Sequence, residues 1–420
     1  MFIGNKLRKL RTNTVFKNGI LFTMFSFLNS GINFLLLIIL ANFISPLEYG
    51  ELNLFNTFVT LLSMLISLNT TGIISVEFFK TSKLQFRKIL NGVLLLSTGT
   101  LCFFTFLLLI FSHFLKLAVG LSVEYQWLAL LICYLQVFSS INLDIWRLEE
   151  KPVSYGLYSV STVLLNFILT LVLVISFQQG WLGRLYAQVG VGIVFFFISI
   201  IFLIKRGYLK RIWPDKRSIR DALHFGLPLI PHSTSTWIRQ GLDRYIINYF
   251  FVTSDVGLFS FAYNFANVIQ IVGFAFNATN SVFIYKNLAQ NNTDTRDRLW
   301  KQTKVMLIFF FLLAILICLG TSVFIPILVP NYAGSIPYLF PLCMAAMFQC
   351  IYYLFVNYLF YYKKTKGLMF ITFFMSILHF LLSLLLTRYS IMYTAYITMV
   401  INFLIAFLVF LYSRRIYKLR

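Results

Sequence analysis

The sequence predicts an all-α polytopic membrane protein: twelve transmembrane helices in two parallel six-helix bundles, with both termini cytoplasmic. Three observations carry that prediction. First, the chain of 420 residues is 59% hydrophobic and 11% charged, whereas a soluble domain is about a quarter charged. Second, apolar stretches long enough to cross about 30 Å of hydrocarbon recur near 19–43, 51–75, 90–114, 125–146, 154–177, 182–204, 223–250, 255–284, 305–328, 337–360, 368–387 and 391–411. Third, Lys and Arg resist translocation and collect in cytoplasmic loops. With both ends placed in the cytoplasm, only Lys116 and Arg388 of the 35 basic residues fall in outer loops, and Arg184, Arg239 and Arg244 fall within spans. The formal charge of +22 therefore reads as orientation, and no nucleic-acid partner is expected.

The elements follow in order. The N-terminal stretch "MFIGNKLRKLRTNTVFKNG" is charged like the start of a signal peptide, but no small-x-small cleavage site follows the long apolar run, so the run is expected to remain as the first helix. The longest cytoplasmic loop, "KRGYLKRIWPDKRSIRD", divides the chain into a bundle at 1–204, a basic linker at 205–222 and a second bundle at 223–420. Six spans per half is an even number, so a repeat would be parallel rather than inverted. "SPLEYGELNLFNTF" at 45–58 and "TSDVGLFSFAYNFA" at 253–266 support it, each with an acidic residue two positions before a glycine: Glu48 with Gly50, and Asp255 with Gly257. The outer loops are short, 115–124 being the longest, so no external domain can fold there.

The chemistry that is missing narrows the function. No GxxxxGK[ST] phosphate loop occurs, so the chain does not hydrolyse ATP by itself. His113, His224, His232 and His379 are scattered without ligand spacing, and the five cysteines lie in apolar segments without paired spacing, so neither a metal site nor a cofactor is expected. Glu77 and Asp144 sit at cytoplasmic helix ends, with Lys80 and Arg147 three residues on, and read first as interfacial ion pairs. Together with Asp243 they are the candidates for ion coupling. No pair of catalytic carboxylates stands on an accessible surface, so an enzyme is disfavoured.

Polar residues inside spans carry more information. Asn29, Ser30 and Asn33 lie within one turn near 19–43, and Tyr263, Asn264, Asn267 and Asn277 lie within 255–284. Amides in lipid must bond across helices or face water, and both roles stay open. The tyrosines near helix ends, such as Tyr352, Tyr353, Tyr358, Tyr361 and Tyr362, are explained by interfacial anchoring.

The stretch "FGLPLIPHSTSTWIRQGLDRYIINYF" at 225–250 is the most unusual. An arginine at mid-span costs about 2.5–3.5 kcal/mol on insertion scales, so it faces protein or a wet path. Arg239 and Asp243, at i and i+4, can pair, while Arg239 and Arg244 point about 140° apart. Arg239 is therefore assigned to a central cavity, and Asp243 with Arg244 to a helix-locking network. Pro228 and Pro231 interrupt the backbone ladder and His232 opens a hydroxyl-rich run, "HSTST", that can satisfy freed carbonyls. Such a bent, polar helix suits a moving wall.

Residues 225–269 place Gly226, Pro228, Pro231, His232, Asp243, Arg244, Tyr245, Val256, Gly257, Phe259 and Tyr263 in an order that resembles the Wzx-type polysaccharide flippases of the multidrug/oligosaccharidyl-lipid/polysaccharide exporter superfamily. "SPLEYGELNLFNTF" and "LVPNYAGSIPYLFPL" at 328–342 are similar to segments of that family too. The resemblance implies translocation of a lipid-linked oligosaccharide repeat unit across a bacterial inner membrane, by alternating access and for surface polysaccharides such as O-antigen. Its partners would be that substrate, membrane lipids and the polysaccharide polymerase machinery. A central positive charge suits a polyprenyl pyrophosphate. Arg239, Asn29, Asn33, Tyr263, Asn264 and Asn267 are the candidate substrate-binding residues; Pro228, Pro231, His232, Asp243 and Arg244 are the structural or gating ones. A multidrug or cation antiporter is the nearest rival and would want a cavity-facing carboxylate. A membrane-embedded glycan polymerase or ligase would want sizeable outer loops.

Overall fold

The computed structural model describes residues 14–210, 212–290 and 293–417, and these are helical with no strand among them. In chain order the helices are α1 (Thr14–Leu40), α2 (Pro46–Ser67), the short α3 (Gly72–Glu77), α4 (Lys83–Val119), α5 (Val123–Leu148), α6 (Pro152–Leu171), α7 (Gly180–Lys205), α8 (Lys216–Gly226), α9 (Ile230–Gln240), α10 (Asp243–Phe250), α11 (Thr253–Gln290), α12 (Thr293–Leu328), α13 (Ile336–Tyr361), α14 (Thr365–Leu386) and α15 (Ile391–Ile416). Ten helices among the described residues are long and apolar enough to cross a membrane. The two expected spans not among those ten are the ones richest in polar residues. The 51–75 stretch forms α2 and α3, α2 beginning at Pro46 with Glu48 in its first turn. The 223–250 stretch is not one helix: α8 runs into a 3-10 turn at Leu227–Leu229 around Pro228, then α9, a break at Gly241–Leu242, and α10. Proline supplies no amide hydrogen for an i→i−4 bond, which explains the first interruption. At the second, the amides of Gly241 and Leu242 both turn back to the Trp237 carbonyl and Arg244 N–H bonds Gly241. Both chain ends, and with them their expected cytoplasmic placement, lie outside the described residues.

The chain forms two compact units. One contains the described part of Met1–Ile44 with Phe55–Ser233; the other contains Ser45–Leu54 with Thr234–Arg420. In the first, Phe22 of α1 meets Tyr155 of α6 edge-on at 5.1 Å. Trp146, Tyr158, Val191 and Phe195 build a core between α5, α6 and α7, where the buried Tyr158 hydroxyl reaches Ser139 and Ser199. The opposite faces are apolar and exposed, as on α4 at Phe103, Phe106, Leu109 and Phe114; in hydrocarbon such a face loses nothing. Basic loops are fastened at helix ends. Asp215 caps α8 through the amide and hydroxyl of Ser218 and pairs with Lys88 of α4 at 3.1 Å. Those Ser218 bonds first, and Lys88 next, hold its carboxyl down at about 2. At the end of α5, partial burial works to raise the Glu149 carboxyl, but hydrogen bonds from Tyr208, Lys151 and Arg206 outweigh it and keep it below the usual range. The expected pair of Asp144 with Arg147 forms at 3.5 Å. Glu77 and Lys80 form no ion pair, because α3 ends at Glu77 and the following residues turn, so Lys80 is not on a helical face above it.

In the second unit α13 is the central helix; 72% of its apolar stretch is buried, against α11, α12 and α15. The two similar stretches noted in the sequence meet here. A reciprocal pair of bonds between Ser45 and Glu48 caps the start of α2. A Cβ at Gly50 would collide with the Thr253 carbonyl, and one at Gly257 with the Pro46 carbonyl. Each glycine thus touches the residue four positions before the other, a locally two-fold contact that only glycine permits. Replacing Gly50 or Gly257 by Leu is expected to cost about 1–3 kcal/mol through overpacking, lowering the melting temperature of the solubilised protein. Gly99→Leu, at a site with nothing within 4 Å of the added carbon, should leave it unchanged.

Candidate functional site

The break in the 223–250 stretch sets the site of the second unit. Because Gly241 and Leu242 interrupt the helix, the i, i+4 geometry that would pair Arg239 with Asp243 does not exist. Asp243 instead starts α10 and is 2% exposed. Its Oδ1 accepts from Ser383 Oγ at 3.1 Å, and its Oδ2 accepts from Thr398 Oγ1 at 3.2 Å and lies 3.4 Å from His379 Nε2. The carboxylate thereby ties α10 to α14 and α15. Arg244, also buried, uses Nη1 to satisfy the Gln240 carbonyl at 2.6 Å, just before the break, and donates from Nε to Ser260 at 3.1 Å. Its guanidinium sits 4.8 Å from the centre of the Tyr263 ring.

Arg239 is left with a different environment. It lines a small cavity of about 10 Å³ with Gln240, Tyr263, Gln270, Gln349, Thr398 and Asn402, room for about one water molecule. Its Nε has no hydrogen-bond partner, and no carboxylate lines the cavity. Ala266, Leu342 and Ala345 complete the wall, whose polar part is made of amides, a phenol and a hydroxyl, groups that can turn either a donor or an acceptor inward. Thr398 belongs to both environments, lining the cavity while its hydroxyl donates to Asp243.

The other expected residues separate. Tyr263 is brought to Arg239; Asn264 is not at the cavity, because its Nδ2 donates to the Tyr49 hydroxyl at 2.6 Å and so joins α11 to α2. Asn267 is half-buried on α11 away from the cavity wall. Asn29 and Asn33 lie on α1 in the first unit, Asn33 exposed and Asn29 half-buried with its Oδ1 lacking a partner. Pro228 lies in the 3-10 turn, Pro231 in the first turn of α9, and His232 beside it is exposed. The sequence reading missed Gln270, Gln349, Thr398, Asn402 and Ser383, and named His379 only as a histidine without ligand spacing. Their signal was an amide, imidazole or hydroxyl standing singly in an apolar run of α11, α13, α14 or α15.

This is a multi-pass helical membrane protein with a half-buried arginine at a small, largely polar cavity in its second unit. A family described as polysaccharide biosynthesis protein matches residues 15–283, and the chain belongs to that family. Lsg locus putative protein 1 of Haemophilus influenzae is 26% identical over 361 residues, covering 84% of this chain and 86% of that protein. Among solved structures, an inward-facing multidrug resistance MATE family transporter of the MOP superfamily aligns over 93% of this chain and 95% of its own, with a TM-score of 0.75 and 16% identity. The lipid II flippase MurJ in an inward closed conformation aligns over 94% of this chain and 87% of its own, with a TM-score of 0.74 and 15% identity. The chain therefore has the fold of these proteins.

The bonding pattern predicts different fates for the two charges. Asp243→Ala strips Ser383 of its acceptor and removes the carboxylate against Thr398 and His379, and should cost about 1–3 kcal/mol, seen as less folded protein in the membrane. Arg239→Ala removes no ion pair with Asp243 and should leave the amount near normal. The double variant should stay as low as Asp243→Ala, whereas recovery would show that the two charges pair after all.

Proposed function

We propose that this chain is a flippase that carries a polyprenyl pyrophosphate-linked oligosaccharide repeat unit from the inner to the outer leaflet of a bacterial inner membrane, for surface polysaccharide biosynthesis. The observation that carries this reading is Arg239: a guanidinium held at a polar cavity without a carboxylate on its wall, in a chain of a polysaccharide biosynthesis family. An anionic pyrophosphate is the ligand such a group favours, since it can take a bidentate, charge-assisted pair. The fold shared with a lipid II flippase supports a lipid-linked substrate. The antiporter alternative wants a free carboxylate facing the cavity, and Asp243 is instead engaged by Ser383, Thr398 and His379. Within the flippase reading Asp243, with His379 against it, is the coupling carboxylate we favour over Glu77 and Asp144, which lie at helix ends. O-antigen is the product class and the polymerase machinery the partner this reading carries, with alternating access as the route.

The same reading takes twelve spans in two parallel bundles, divided at the 205–222 linker, with both termini cytoplasmic. The α2 helix and the broken α8 to α10 stretch supply the two spans beyond the ten apolar helices. Cysteines introduced at 205–220 should then resist an impermeant thiol reagent in intact cells, and labelling from outside would refute this topology. For the substrate, Arg239→Ala in a strain lacking its own flippase should abolish surface glycan at normal membrane abundance, and Arg239→Lys should retain part of it. Full export by Arg239→Ala would remove the arginine from the transport path.

A further inference from the structure

The first unit contains a second cavity, of about 440 Å³, within the about 300–1,000 Å³ of small-molecule sites. Its chemistry is unlike that beside Arg239. Four amide side chains, Asn56, Asn69, Gln136 and Gln188, reach it from α2, the turn after α2, α5 and α7, and none of its lining residues is charged. Thr60, Ser63 and Ser67 add hydroxyls. On α2 the polar positions 56, 60, 63 and 67 recur at helical spacing, so they stand in one row along the helix. The amides are placed rather than scattered: Gln188 Nε2 approaches Asn56 Oδ1 at 3.4 Å, and Asn69, in left-handed backbone at φ 52°, donates to Ser233 Oγ at 3.1 Å. Gln136 is exposed although it lies in a membrane-spanning helix. In hydrocarbon that arrangement would strand an amide; in a polar cavity it offers one.

We infer that this cavity is the site for the uncharged sugar of the lipid-linked substrate. The inference rests on the flippase reading and assigns the glycan to residues separate from Arg239. Each amide presents a carbonyl acceptor beside two N–H donors, which matches the adjacent hydroxyls of a pyranose ring, where each oxygen both donates and accepts. An apolar ligand would leave these groups without partners, at the cost of burying unmade hydrogen bonds. A phosphate would meet no cation here. A neutral polyhydroxylated ligand satisfies the wall without requiring either.

The test uses the full chain with Cys102, the exposed native cysteine, replaced by Ser, reconstituted in lipid vesicles with Met64→Cys, at an apolar lining position of the same cavity, as reporter. Two probes are added: a polyprenyl pyrophosphate bearing an uncharged N-acetylhexosamine disaccharide, and the same lipid without sugar. The sugar-bearing lipid should slow maleimide alkylation of Met64→Cys several-fold, and the sugar-free lipid should not. In cells lacking their own flippase, Gln136→Leu combined with Asn56→Leu should lower surface glycan several-fold at normal membrane abundance. Equal protection by both lipids, or none by either, in a chain that does restore surface glycan overturns the sugar cavity and leaves the flippase reading standing. Failure of the unmodified chain to restore surface glycan overturns the flippase reading itself.

Discussion

Asp243 ties α10 to α14 and α15 in the second unit. A carboxylate with 2% exposure in a low-dielectric interior is costly unless several donors share its charge. Here Ser383, Thr398 and His379 share it from two helices. Because the donors come from α14 and α15, the bonds that offset desolvation also fix where α10 starts. The helix before it must then stop, and the Gln240 carbonyl near that stop is satisfied by the Arg244 side chain rather than by backbone. Arg239, on the last turn of α9, is thereby kept off the carboxylate and left at the cavity.

A second constraint is the approach of α2 to α11. Two helices whose first turns come within carbonyl contact of each other need a residue without Cβ at the crossing, and the contact is reciprocal, Gly50 on Thr253 and Gly257 on Pro46. Its neighbourhood is aromatic: Tyr49 packs edge-on against Phe261 and Tyr332, with ring centres 5.7 Å apart in each case. The Asn264 amide reaches the same Tyr49 hydroxyl. The amide that the sequence left open between helix bonding and a wet cavity is thus used for bonding, because a phenol lies within reach.

Much of this was legible in the sequence for physical reasons. Hydrocarbon thickness forces long apolar runs, so the ten apolar helices stand out; Pro228 and Pro231 announce an interruption because proline lacks an amide hydrogen. The cost of a mid-span charge marked Arg239 without any structure. What was not legible depends on the third dimension. The Arg239 to Asp243 spacing assumed one continuous helix, and Gly241 ends it. The Glu77 to Lys80 spacing assumed that α3 ran on. Gln270, Gln349, Asn402 and His379 each look like single interruptions of apolar runs, and only packing shows that three of them converge on Arg239 while His379 meets Asp243. The row at 56, 60, 63 and 67 was open to a periodicity reading and passed unnoticed beside the acidic and glycine residues of the same segment.

The size of the cavity beside Arg239 bears on how an anion could reach it. Room for about one water is too little for a phosphate beside the half-buried Arg239. A ligand can shift a protein between forms only by its difference in affinity for them. Arg239 Nε has no hydrogen-bond partner here, and a form that admitted an anion would supply one. The groups that must give way are the side chains of Gln270, Gln349 and Tyr263, which can exchange their hydrogen bonds for those of water or phosphate at little net cost. A wall of carboxylates would bind the arginine permanently, and a wall of leucines would leave its charge uncompensated. Neutral polar side chains do neither, and so they fit the proposed reading, in which the arginine binds an anion and releases it again.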